Sequence, residues 1–340
     1  MKKEILLSIC IPTYNRCAFL EENILEIIAQ TRHDNFQDKI EICVSDNNSS
    51  DDTDKMISKI STSNSDIQIT YSKNNKNLGP DRNYIFAMNM AQGVFSWLLG
   101  SDDLPEQGAI QEIIRNMTNE ENVDVLLFNR NDYDIKMQNL HSKTYWLRKD
   151  IDTQIFDFSD KRQEKNYYNS SVTLGAVFSY ISSIVYKTEI VKRYEFDESF
   201  IGTAYAHTFF FFKCLKDGGK LKYLKDHLVK NRLGNDSFGI GYQRQLLDFK
   251  GYDFIRKKLF INDTVEFDFM GILKREHPFF MLIHIYCTMK KHEWKTLVPL
   301  LIDCGWSVDE ISHIEQIGNS PNLYQSRFKQ QLKKIILKKN

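Results

Sequence analysis

The chain has 340 residues, 42% of them hydrophobic, and its 45 basic and 45 acidic side chains leave no formal net charge. That balance argues against a general nucleic-acid binder, and the length exceeds one ordinary domain, so two lobes or a domain with an appended module are expected. The six cysteines (Cys10, Cys17, Cys43, Cys214, Cys287, Cys304) show neither a CxxC pair nor metal-finger spacing and read as reduced, cytosolic thiols.

The first apolar run, Leu6–Ile11, is short, follows an acid at Glu4 and ends at Pro12. It reads as a strand buried on both faces rather than a secretory signal. Phe19, Leu20, Ile24, Ile27 and Ile28 then recur at helical spacing. A second strand is expected over Ile40–Val44, followed by a helix from Asp51 or Asp52. A third strand spans Ile67–Tyr71, and Pro80 opens the next helix at the position proline tolerates. Val94–Leu99 and Val123–Phe128 are the fourth and fifth strands. This alternation implies a mostly parallel sheet with right-handed crossovers.

From Asn131 to Ser171 the polar, charged sequence reads as a surface excursion or lid. Strands return at Ile181–Tyr186, Leu221–Leu224 and His227–Val229, with a helix over Tyr205–Lys216, and helices dominate beyond Phe249. The apolar run Phe279–Cys287 is far below membrane-spanning length.

The turns after the strands carry the chemistry. Pro12-Thr13-Tyr14-Asn15-Arg16 lacks the glycines of a dinucleotide or P-loop fingerprint, and Gly218-Gly219-Lys220 reads as a simple turn. Ser45-Asp46-Asn47-Asn48-Ser49-Ser50 is mostly an Asx-rich turn, but Asp46 ends the strand itself, where it could bond a nucleobase. In Asn77-Leu78-Gly79-Pro80-Asp81-Arg82-Asn83 a glycine precedes a helix N-terminus able to face an anion, and Arg82 offers a fork for phosphate. Gly100-Ser101-Asp102-Asp103 places two acids where an apolar strand stops. Hard cations such as Mg²⁺ take such oxygen ligands together with substrate phosphates. Ligands of open α/β sheets gather at the carboxyl ends of strands, so Asp46 and Asp102 should share one crevice.

These four segments resemble, in order and spacing, the family-2 glycosyltransferases of GT-A fold. The resemblance covers roughly residues 5–117. It implies an α/β, Rossmann-like, mostly parallel sheet flanked by helices, with a C-terminal helical region. It divides the chain into a nucleotide-sugar half (1–130), an acceptor half (131–248) and a helical region (249–340). By resemblance Pro12, Thr13, Tyr14, Asn15, Arg16, Asp46, Asn47, Asn77, Gly79, Arg82, Ser101 and Asp102 line the nucleotide pocket. Arg82 approaches the pyrophosphate, and Asp102, with Asp103, holds Mg²⁺ or Mn²⁺.

The family usually has an acid at the position of Gly100, and an acidic pair at a helix start in the second half. Here that helix start is Gly202-Thr203-Ala204-Tyr205-Ala206-His207-Thr208. His207 is therefore the expected base, with a structural or acceptor-binding histidine as the alternative and Asp197 and Glu198 as rival acids.

The motifs and the Thr-Ala-Tyr-x-His stretch are also similar to abequosyltransferase-like enzymes of O-antigen assembly. Those move a 3,6-dideoxyhexose from a CDP donor to a lipid-linked oligosaccharide. In the tail, Phe328, Leu332, Ile335 and Ile336 share one helical face opposite lysines. It reads as a helix lying on the cytoplasmic face of the inner membrane, or as one packed on the catalytic lobe. Two rival functions remain: a sugar-phosphate nucleotidylyltransferase and a catalytically inactive GT-A scaffold.

Overall fold

The computed structural model describes residues 4–119, 122–235 and 242–320. They fall into two compact units, Met1–Asp236 and Ser237–Asn340. The basic tail from Arg327 lies outside the described residues. Among the described residues no helix is long and apolar enough to cross a membrane.

The first unit is built on one mixed sheet. β1 (Leu7–Thr13) is buried along its whole length, as the continuous apolar run demands. It pairs in parallel with β2 (Ile40–Asp46) and β4 (Phe95–Leu98), and β3 (Gln68–Lys73) adds to β2. β9 (Ile184–Lys187) is antiparallel to β4 and to β6 (Val125–Tyr133), while β6 and β10 (Lys220–Arg232) run parallel. The two-residue β5 (Leu104–Pro105) closes that edge against β10.

α1 (Cys17–His33), α2 (Thr53–Ser63) and α4 (Ala109–Thr118) cover one face. Leu20, Ile24 and Ile27 pack there with Ile57, Ile110 and Ile113 on alternate β1 and β2 residues: Leu7, Ile9, Ile11, Ile40, Ile42 and Val44. The other face holds α3 (Pro80–Asn89) and α7 (Thr208–Lys216), whose four successive phenylalanines, Phe209 to Phe212, are all buried.

Three expectations are refined. The polar stretch after Asn131 is a surface excursion that carries strands: β6 runs on to Tyr133, the largely exposed β7 (Leu140–Thr144) pairs with it, and β8 (Gln154–Asp157) pairs with β10. Asp132 ties this polar region together, accepting from Ser142 Oγ, Thr144 Oγ1 and the Asn231 amide across neighbouring strands. The two late strands are one, β10, with register shifts on either side of His227. The strand expected from Ile181 begins with a short helical turn, Ile181–Ser183.

The second unit is helical: α8 (Tyr242–Leu259), α9 (Glu266–Glu276), α10 (Phe279–Thr288), α11 (Lys291–Asp303) and α12 (Val308–Gly318). Its core includes Phe260 stacked on Phe269 at 4.2 Å between ring centroids.

Candidate active site

The loops after β1, β2, β3 and β4 meet at the carboxyl edge of the parallel strands. Asn15 staples the first two together. Its side chain accepts from Ser50 N at 2.8 Å, and its own N–H donates to Ser49 Oγ at 2.9 Å. Asn15 and Asn48 both have positive φ, 51° and 67°, which explains asparagine at those two turn positions.

Asp46 lies opposite Thr13 in the β1–β2 register and is fully buried. Oδ1 accepts from Ser49 N and Oγ, and Oδ2 accepts from the Tyr71 hydroxyl at 2.7 Å. Burial, reinforced by this carboxylate, raises the Tyr71 pKa. Asp46 therefore shapes the turn, with both oxygens bonded inside the protein. Asn47 does the same for the third loop, donating to Asn77 Oδ1 and Gly79 O and accepting from Leu78 N. Pro12, Thr13, Asn47 and Ser101 are likewise buried. These residues, expected to line the pocket, build its walls from within.

Of the expected pocket residues, Tyr14, 45% exposed, Asn15 and Asn77 lie at the surface, and Arg16, Arg82 and Asp102 reach it in part. Gly79 holds φ +82° with open space where a Cβ would be, so a ligand can approach the backbone there. Pro80 follows it at the start of α3. Arg82 Nη2 pairs with Glu198 Oε2 at 2.6 Å.

The two acids after β4 differ completely. Asp102 faces outward, paired with Arg16 Nη1 at 2.5 Å and accepting from the Asn235 amide at 2.8 Å. Its backbone O accepts from Arg232 Nε at 2.9 Å, and Arg232 in turn pairs with Glu22. Asp103 turns inward and accepts from Ser182 Oγ. Burial, with the Asp102 charge adding to it, pushes its carboxyl up to about 7.

A Cβ on Gly100 would stand 2.9 Å from Asp103 Oδ2 and 3.2 Å from Ser182 Oγ. The inward carboxylate thus fills the space the family's first acid would need. Asp102 fits a hard cation as a single protein ligand beside substrate phosphates. Asp103, aimed at Ser182, does not. Among the described residues no group of three His, Cys, Asp or Glu side chains is arranged to hold a metal.

His207 does not reach the site. It is 1% exposed, packs edge-on against Tyr84, and its Nε2 bonds Phe178 O at 2.8 Å. Burial pushes its pKa down to about 4, so it is a neutral core imidazole. Of the rival acids, Asp197 accepts from Ser199 N and Oγ and caps a short helical turn. Glu198 is exposed beside Arg82.

Sequence reasoning missed several residues that position this edge. Asp81, 3% exposed, accepts backbone N–H groups from Gly202, Ala204 and Ala206, clamping that loop to α3. Asn23 on α1 donates to Asp103 O and Gly100 O. Ser182, Arg232 and Asn235 come from distant parts of the chain. Asp81 sat inside a recognised motif; the others had no local signal.

The model of the family "Glycosyl transferase family 2" matches residues 8–187. This chain belongs to that family. It is 32% identical over 326 residues to the abequosyltransferase RfbV of Salmonella typhimurium, covering 92% of this chain and 94% of that protein. Among solved structures it is similar to S. aureus TarS in complex with UDP-GlcNAc, at TM-score 0.60 and 16% identity, covering 88% of this chain and 80% of that one. The mannosyltransferase PcManGT of Pyrobaculum calidifontis, in complex with GDP-Man and Mn²⁺, matches at TM-score 0.53 and 15% identity, covering 88% and 86%. The sheet of this family-2 glycosyltransferase is thus the GT-A fold, with its exposed charges gathered where that sheet's parallel strands end.

Proposed function

We propose that this glycosyltransferase moves a sugar from a nucleoside diphosphate donor to a hydroxyl of a lipid-linked oligosaccharide, in the synthesis of O-antigen or another surface polysaccharide. The observation that carries the reading is Asp102 standing outward beside Arg16 at the carboxyl edge of β1 and β4. A CDP-linked 3,6-dideoxyhexose is the favoured donor, supported by the similarity to an abequosyltransferase along nearly the whole chain.

In this reading residues 1–130 hold the donor and 131–248 the acceptor. Tyr14 presents an exposed ring to the base, and the backbone at Gly79 and the start of α3 approach the diphosphate. Arg82 and Arg16 supply guanidinium forks for its oxygens. A Mg²⁺ or Mn²⁺ at Asp102 would add Lewis-acid help worth several kcal/mol. With His207 buried, Glu198 takes the acceptor proton, a role worth about 10²–10⁴-fold. The protein works peripherally on the cytoplasmic face of the inner membrane, through the basic segment from Arg327 to Lys339.

The test is a thermal shift against CDP, UDP, GDP and dTDP, with and without Mn²⁺. A ligand that binds only the native state adds about 2.7 kcal/mol at a hundred times its Kd. One nucleotide should raise Tm, more so with Mn²⁺, and Asp102→Asn should lose both the cation-dependent part and sugar transfer. Retained transfer by a folded Asp102→Asn protein refutes the reading.

A further inference from the structure

Both oxygens of Asp102 are taken. Arg16 Nη1 lies 2.5 Å from Oδ1, and Asn235 Nδ2 donates to Oδ2 at 2.8 Å. The ring closes on itself, because Arg16 Nη2 donates to Asn235 O at 3.2 Å. Three loops, after β1, β4 and β10, are thereby tied together by one carboxylate. The pair is largely shielded, with 19% and 17% of the two side chains exposed, so the ion pair is less screened than a surface one. Asp103 offers no substitute ligand, since its carboxyl is turned to Ser182. A fixed cation therefore occupies the outward member of the two acids after β4, the carboxylate that a divalent ion would need.

We propose that Arg16, braced by Asn235, competes with the divalent cation for Asp102, so that the cation enters only together with a diphosphate. The diphosphate resolves the conflict from both sides. Its oxygens accept the guanidinium fork, drawing Arg16 off the carboxylate, and they complete the coordination shell of a cation that retains few protein ligands. A cation arriving alone meets a like charge and an occupied carboxylate. Arg16 and Asn235 thus set the order of binding. The inference rests on Asp102 being the cation ligand of the reading above.

The experiment measures free Mn²⁺ by electron paramagnetic resonance, with circular dichroism melts to check folding. Wild type, Arg16→Gln, Arg16→Lys, Asn235→Ala and Asp102→Asn are titrated with Mn²⁺ alone, then with CDP or UDP present. Arg16→Gln should bind Mn²⁺ alone at least about tenfold more tightly than wild type, the equivalent of about 1.4 kcal/mol. Arg16→Lys, which keeps the charge, should stay weak, and Asn235→Ala should gain less than Arg16→Gln. In wild type the nucleotide should recover the tight binding. Adding Asp102→Asn to Arg16→Gln should erase the gain. If Mn²⁺ binding depends on Asp102 but wild type already binds the lone ion as tightly as Arg16→Gln, the competition is refuted and the role of Asp102 survives. If the double variant keeps the gain, or no protein binds Mn²⁺ with either nucleotide, the cation reading fails and this inference with it.

Discussion

Asp81 is the strongest test of how the donor edge is joined to the second half of the sheet. Its carboxylate sits under α3 and accepts three backbone N–H groups, from Gly202 at 2.7 Å, Ala204 at 3.0 Å and Ala206 at 3.3 Å. Oδ2 takes the first two. In Asp81→Asn one oxygen becomes an amide nitrogen, which cannot accept, so whichever way the group turns, one or two of these N–H donors lose their partner, the Ala206 one buried and the others half-buried. Hydrogen bonds to a charged acceptor are worth about 1.5–3 kcal/mol each. Part of that is offset, because burial raises the Asp81 pKa and keeping the carboxylate ionised is itself costly. The expected net loss is about 2–4 kcal/mol, which in a unit of this size lowers Tm by roughly 5–15 °C. A calorimetric melt at neutral pH reads the global effect. Amide hydrogen exchange at Gly202, Ala204 and Ala206 reads the local one and should quicken first. A variant melting within about a degree of wild type, with those three amides still protected, refutes the clamp.

Restoring the family's missing acid by Gly100→Asp should destabilise by about 1–3 kcal/mol, since its Cβ would meet Asp103 Oδ2 at 2.9 Å; a urea midpoint equal to wild type overturns the packing argument. Asp103 makes stability fall as pH rises. Its carboxyl is held protonated in the folded chain up to about 7, above its unfolded value, so the cost is absent below about pH 4 and complete above 7. Asp103→Asn should remove that slope, and the difference in urea midpoint between the two proteins, followed from pH 4 to 8, should change in that window; a constant difference contradicts it. For the proton acceptor, Glu198→Gln should cut kcat at least about a hundredfold, while His207→Gln lowers Tm and leaves kcat within a few-fold. The opposite ranking would return the base to His207.

The first four strands and the helices between them were legible because burial leaves a one-dimensional trace. A strand covered on both faces must be apolar throughout, as Leu6–Ile11 is, and an amphipathic helix must repeat its apolar residues near 3.6, as α1 does. The four loop motifs were legible for the same reason: each follows its own strand directly, so the edge of the sheet gathers them wherever the strands are parallel. What the motif residues do there was a tertiary matter. Asp46 and Asn47 read as ligands, and the fold also uses them as internal braces, because whether a carboxylate meets Ser49 and Tyr71 depends in part on a neighbour 25 residues away. Asp102 and Asp103 are adjacent, yet one faces outward and the other is sealed against Ser182, 79 residues on. His207 shows no sign in its own segment that Tyr84 and Phe178 will enclose it. Local pattern determined the strands, the helices and the order of the loops. Only long-range packing decided which polar side chains remain free to act, because burial is a property of the partners that the rest of the chain brings.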